Sequence, residues 1–179
     1  MISPLAPKSF VGLCQAKIVP ATISRSGPDK ALYISDAANS KIYKLPASAS
    51  TAELFLEHRA LYSIDGITFL DGKLYVNNVF SNNLYRIPVD AAGKAGQSVD
   101  IWMDQPVNGP DGMRAANGKL LLAENGSGKI SVLTVTGDKA SVTVIKEGLK
   151  TPTAVEPAGD TIWVAERGVG LVDKSRSCA

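Results

Sequence analysis

The sequence predicts an all-β fold, a β-propeller of about four four-stranded blades, and three observations predict it. One strand motif recurs along the chain: Leu32-Tyr33-Ile34-Ser35-Asp36, Leu74-Tyr75-Val76-Asn77-Asn78, Leu120-Leu121-Leu122-Ala123-Glu124 and Ile162-Trp163-Val164-Ala165-Glu166. The motif starts lie 42, 46 and 42 residues apart, the period of a propeller blade. Turn signals stand before three of the copies, at Asp71-Gly72-Lys73, Asn117-Gly118-Lys119 and Gly159-Asp160, and each turn follows another short strand. Asp-Gly and Asn-Gly supply the positive φ angles that a tight hairpin requires. Finally, the segments between the motifs alternate in polarity, and radial repetition of such sheets hides most strand edges.

The first three units are predicted as four strands each, and the fourth lacks its outer strand. Strand A lies near Ala21 to Ser26 in the first unit and starts near Asp65, Asp111 and Thr153 in the others; the recurring motif is strand B. Strand C follows a polar turn, as Lys41-Ile42-Tyr43-Lys44-Leu45, Asn83-Leu84-Tyr85-Arg86-Ile87 and Lys129-Ile130-Ser131-Val132-Leu133. Strand D is expected around Glu53 to Glu57, Val99 to Met103 and Val142 to Ile145, with Val99, Ile101 and Met103 sharing one face of the second. Thr51 to Tyr62 also carries Leu54, His58, Leu61 and Tyr62 at helical spacing, but its place in the repeat favours a strand. Trp102 and Trp163 are most simply packing residues between blades, with pocket lining the alternative reading of Trp163.

The domain expectation is one propeller over 1–179, with blades at about 21–60, 63–105, 110–148 and 152–179, and the strand-like segment 10–19 as the closing strand. Two arrangements stay open: a small closed ring, or part of a six-bladed propeller. Cys14 and Cys178 are correspondingly either free thiols or a disulfide joining the ends, which only a closed ring brings side by side. Oligomerisation goes with the open arrangement.

The chain has 179 residues, 45% hydrophobic content and a formal charge of +2, which is ordinary globular composition. Its 19 basic and 17 acidic residues form no long like-charge block, so neither nucleic acid nor a membrane surface is an expected partner. No stretch approaches the roughly 18 consecutive apolar residues of a spanning helix, and Met1 to Phe10 lacks the pattern of a signal peptide. A soluble protein is expected, of open compartment.

Pro110-Asp111-Gly112-Met113, then Asn117-Gly118-Lys119-Leu120 and the run from Ala123 to Ile130, resembles the senescence-marker-protein/gluconolactonase family of six-bladed propellers. The resemblance spans roughly Ile64 to Arg167, and the blades also resemble NHL repeats. It implies that Asp111 is a ligand of a catalytic divalent metal. A second ligand, usually Asn in a Pro-Asn-Gly-Leu turn, corresponds to Asp65 of Ile64-Asp65-Gly66-Ile67. A carboxylate binds Ca²⁺ or Mg²⁺ as readily as an amide oxygen does. The family's first-blade Glu in a Gly-Glu-x-Pro context has no counterpart in this sequence. A closed four-bladed ring is similar in plan to the haemopexin-like propellers, a resemblance that implies a disulfide between Cys14 and Cys178.

The residues themselves support the same locus. Asp65 and Asp111 hold equivalent places in neighbouring units, both facing the mouth of the channel, and two close carboxylates repel unless a proton or cation lies between them. The competing reading is that each Asp-Gly merely shapes the turn into strand A. At the ends of the strand B motifs, Asp36, Asn78, Glu124 and Glu166 either ring the channel with oxygen ligands or cap their own turns, as Asp36 with Asn39 and Glu124 with Ser127 suggest. The lactonase expectation gives Asp111 and Glu166 catalytic roles and Asp65 and Asp111 the metal (Ca, Mg or Zn). Asn78, Glu124, Asn125 and Arg167 would bind a lactone or sugar-like ligand. His58 is the only histidine, on an expected outer strand, so a nucleophilic triad is set aside. The alternative function is a non-catalytic propeller binding a small ligand or protein on its loop face.

Overall fold

The computed structural model describes residues 24–167, and within them every regular element but one is a β-strand. The first sheet holds β1 (Ser24–Ser26), β2 (Leu32–Asp36), β3 (Lys41–Leu45) and β4 (Glu53–Glu57) in chain order. Next come β5 (Ile64–Leu70), β6 (Lys73–Asn78), β7 (Leu84–Ile87) and β8 (Val99–Met103), then β9 (Pro110–Ala116), β10 (Lys119–Glu124), β11 (Lys129–Thr136) and β12 (Lys139–Lys146). A hairpin of β13 (Pro152–Ala158) and β14 (Thr161–Glu166) ends the described chain. The closing strand expected at 10–19 and the cysteines Cys14 and Cys178 lie outside the described residues.

Successive antiparallel hairpins build each unit, and the turn chemistry explains the register. Asp71 and Gly72 take φ of 49° and 73°, and Asn117 and Gly118 take 50° and 71°, the left-handed pairs that join strands A and B with two residues. Thr51 to Tyr62 divides: β4 is the strand that the repeat frame requires, and Arg59–Leu61 forms one 3₁₀ turn capped by His58 Nδ1, which accepts from Ala60 N at 3.2 Å. The exposed His58 is thereby used in local structure.

The units are joined in two ways. At their inner ends the A strands touch in succession, β5 against β9 and β9 against β13, with β2 against β5. At the rim β8 and β12 pair in parallel, Trp102 with Lys139 and Met103 with Ala140, so that the second and third units form one eight-stranded sheet. Pairing the two outermost strands removes edges that would otherwise be open templates.

Apolar side chains fill the seams between units. Tyr33, Ile42, Ile64, Ile67, Leu74 and Ile87 pack where the first unit meets the second. Leu84, Ile101, Met113, Leu122 and Leu133 pack where the second meets the third, and Leu121, Ala123, Ile130 and Val155 where the third meets β13. Tyr33 adds edge-to-face contacts with Phe55 and Phe69 at 5.0 and 4.9 Å. The tryptophans correct the sequence expectation of packing between blades. Trp102 is 61% exposed because it alternates with inward-facing Ile101 on a rim strand, and Trp163 is exposed on β14. Among the described residues no helix is long and apolar enough to cross a membrane.

Candidate functional site

The four inner strands surround a common space. Ser26 of β1, Thr68 and Phe69 of β5, Arg114 and Ala115 of β9 and Glu156 of β13 line a cleft of about 530 Å³. Arg114 Nε donates to Glu156 Oε2 at 2.6 Å across its wall. These residues stand at the downstream ends of the strands. Asp65 and Asp111 stand at the upstream ends, second in β5 and β9, and so occupy the opposite mouth.

The two aspartates meet there. Asp65 is only 7% exposed, and its carboxyl comes within hydrogen-bonding reach of the Asp111 carboxyl. Burial first, then the hydrogen bond and negative charge of Asp111, push the Asp65 carboxyl up to about 8. Its Oδ1 is buried and receives no donor, so it caps no turn amide. Two carboxyls this close call for a proton or a cation between them. Asn125 joins the pair, its Nδ2 donating to Asp111 Oδ2 at 3.3 Å.

The strand B ends sit differently. Buried Asp36 accepts from Asn39 N and Nδ2, both at 3.1 Å. Buried Asn78 accepts at Oδ1 from Phe80 N and Ser81 N at 3.0 and 2.9 Å and donates from Nδ2 to the Tyr62 carbonyl. Glu124 is the most heavily bonded: Oε2 accepts from Asn108 N at 3.0 Å and Ser127 Oγ at 2.8 Å, and Oε1 from Ser131 Oγ. Asn78 and Glu124 are therefore engaged in turns, and only Asn125 of the expected ligand-binding set touches the pair. Glu166 and Arg167 are exposed at the corresponding end of β14, where Glu166 accepts from Lys150 N at 3.3 Å.

Sequence reasoning passed over Asn77. This buried amide accepts from Gly66 N at 2.8 Å and donates to the Asp111 carbonyl at 2.6 Å. The only sign in the sequence was a polar residue at the fourth motif position, between apolar Val76 and polar Asn78.

Comparison with solved structures bears on the fold. The chain is similar to virginiamycin B lyase from Staphylococcus aureus at 21% identity and a TM-score of 0.65, covering 83% of this chain and 49% of that one. A gluconolactonase from Xanthomonas campestris matches at 14% identity and a TM-score of 0.64 over 80% of this chain and 52% of that one. Regucalcin from Agrobacterium tumefaciens, described as a calcium-binding protein, matches at 22% and a TM-score of 0.60 over 75% of this chain and 48% of that one. The chain folds as a β-propeller. The propeller spans about half the length of the solved structures it matches. Gluconolactonase and regucalcin are the relatives that the Pro-Asp-Gly-Met turn pointed to; the lyase was not foreseen. No protein-family model and no curated protein matches the chain.

A divalent cation is tested by the donors themselves. Among the described residues no three His, Cys, Asp or Glu side chains come together, so the protein offers two carboxylates and the neighbouring Asn125 amide. The two carboxylates are oxygen donors, and the buried Asp65 Oδ1 is free to take an ion. The set fits a hard cation whose remaining positions go to water or substrate.

Proposed function

We propose that this propeller carries the acidic centre of a divalent-cation-dependent hydrolase acting on a small lactone of the sugar type. The single observation behind the reading is the Asp65–Asp111 pair with the buried, unpartnered Oδ1 of Asp65. Similarity of fold to a gluconolactonase and to a calcium-binding regucalcin supports it. Asp65 and Asp111 would hold the ion, and the all-oxygen set favours Ca²⁺ or Mg²⁺ over Zn²⁺. When bound, such a cation polarises a carbonyl and acidifies water.

The chain's own residues do the rest. Asn125, bonded to Asp111, orients that carboxylate and offers an amide to a ligand hydroxyl. Glu166, exposed on the neighbouring unit, is the candidate to accept the proton of attacking water, and Arg167 to receive the carboxylate of the opened ring. The burial that keeps water from Asp65 also strengthens its attraction for an ion.

A second reading, a non-catalytic propeller that binds a ligand at its loop face, is favoured by one observation: Asp36, Asn78 and Glu124 are engaged in turns, leaving few free donors near the pair. Calorimetric titration with Ca²⁺ and Mg²⁺, alongside lactone turnover, separates the two. The hydrolase reading expects micromolar binding and cation-dependent turnover, both lost in Asp111→Ala. Binding indifferent to Asp111→Ala, or absence of any binding, overturns it.

A further inference from the structure

A side chain outside the acidic pair bonds to the backbone at both of its members. Asn77 is 1% exposed, and a buried amide must find partners for both its oxygen and its nitrogen. It finds them on two different units. Its Oδ1 accepts from Gly66 N, the peptide that follows Asp65 in β5, and its Nδ2 donates to the carbonyl of Asp111 itself in β9. One side chain therefore ties the backbone beside one carboxylate to the backbone of the other.

The approach it holds is close. A Cβ at Gly66 would stand 2.5 Å from the Asp111 carbonyl oxygen, 2.7 Å from Asn77 Nδ2 and 2.9 Å from Met113 Cβ. Only a residue without a side chain lets β5 lie this near β9.

The repeat supplies internal comparisons. Asn77 holds the fourth position of the strand B motif, where the other units carry Ser35, Ala123 and Ala165. Ser35 Oγ donates to the Asp65 carbonyl at 3.1 Å across the preceding seam, the same reach from one unit to the next. Alanine at the third and fourth copies has no polar atom to extend. The amide, with separate donor and acceptor atoms, stands at the seam that carries the two carboxylates.

We propose that Asn77 is the positioning residue of the Asp65–Asp111 pair, setting the separation of the two carboxylates and, on the reading of the pair as a cation site, the affinity for the ion. It touches neither carboxyl group and acts through the backbone.

The test uses the full chain with Ca²⁺ and Mg²⁺ as probes in calorimetry, and amide hydrogen exchange at Gly66. Asn77→Ala is expected to weaken cation affinity about tenfold or more, as loss of a ligand-orienting partner does, and to speed Gly66 exchange. Asn77→Ser supplies a hydroxyl that reaches the Asp111 carbonyl as Ser35 reaches that of Asp65, and is expected to recover part of the affinity; it carries the test if Asn77→Ala does not fold. Either variant binding as tightly as the parent with Gly66 exchange unchanged overturns the assignment. A parent chain that binds neither cation sinks the cation reading alone, and Gly66 exchange then decides the role of Asn77 by itself.

Discussion

Asp65 sets a pH dependence whose sign can be worked out. Its carboxyl is raised to about 8 in the folded chain, chiefly by burial and then by Asp111, whereas an unfolded Asp releases its proton near pH ~4. Between these values the folded state binds the extra proton. The stability this gives is fully present below the unfolded value and is lost as pH rises through about 8. Urea unfolding in metal-free buffer should therefore show stability declining across that interval, with the decline flattened in Asp65→Asn; a slope that survives the substitution would assign it to other groups. Gly66→Ala tests the close approach beside it. The added Cβ would stand 2.5 Å from the Asp111 carbonyl oxygen, and an overpacked contact of this kind costs about 1–3 kcal/mol, readable as a lower denaturation midpoint. Both aspartates were legible in the sequence because they occupy equal positions in a repeat. Asn77 was not, because nothing in a single strand tells whether a polar side chain turns to water or into the next sheet.

At the scale of elements, the loop between β10 and β11 depends on Glu124. Its carboxylate serves Asn108 N, Ser127 Oγ and Ser131 Oγ, joining the loop before β9 to the turn after β10. Glu124→Ala strands these donors and should cost about 3 kcal/mol, with faster exchange at the Asn108 amide as the local sign. The third seam offers the converse experiment. Ala123 is buried where Ser35 and Asn77 bridge to the following unit, and β13 already crowds Gly112, whose Cβ would meet the Thr153 carbonyl oxygen at 2.6 Å. Ala123→Ser should gain about 1 kcal/mol by a hydrogen bond to that carbonyl, seen as a higher melting temperature; a loss instead would mean that the hydroxyl finds no acceptor there. The strands were legible from period and turn chemistry: Asp71-Gly72 and Asn117-Gly118 adopt the left-handed angles that their types favour. The parallel pairing of β8 with β12 was not, since a rim contact between strands separated by a whole unit leaves no local pattern, and for the same reason Trp102 was misread as a packing residue.

Over the whole molecule, cohesion is uneven. Among the described residues the second and third units share one eight-stranded sheet and a large apolar cluster, and a second large cluster joins the first unit to the second, whereas β13 and β14 form a hairpin resting on a smaller one. Hydrogen exchange should accordingly grade from strong protection in β6 and β10 to weak protection in β14; uniform protection along the chain would contradict this account. The β8–β12 joint has one more consequence. Fastened at the rim by paired strands and near the axis by Asn77, the second and third units behave like two staves of a cask held by a hoop at each end, unable to splay. The gap between Asp65 and Asp111 is then a fixed gauge, and any accommodation to guests of different bulk has to come from the looser stave, the β13–β14 hairpin.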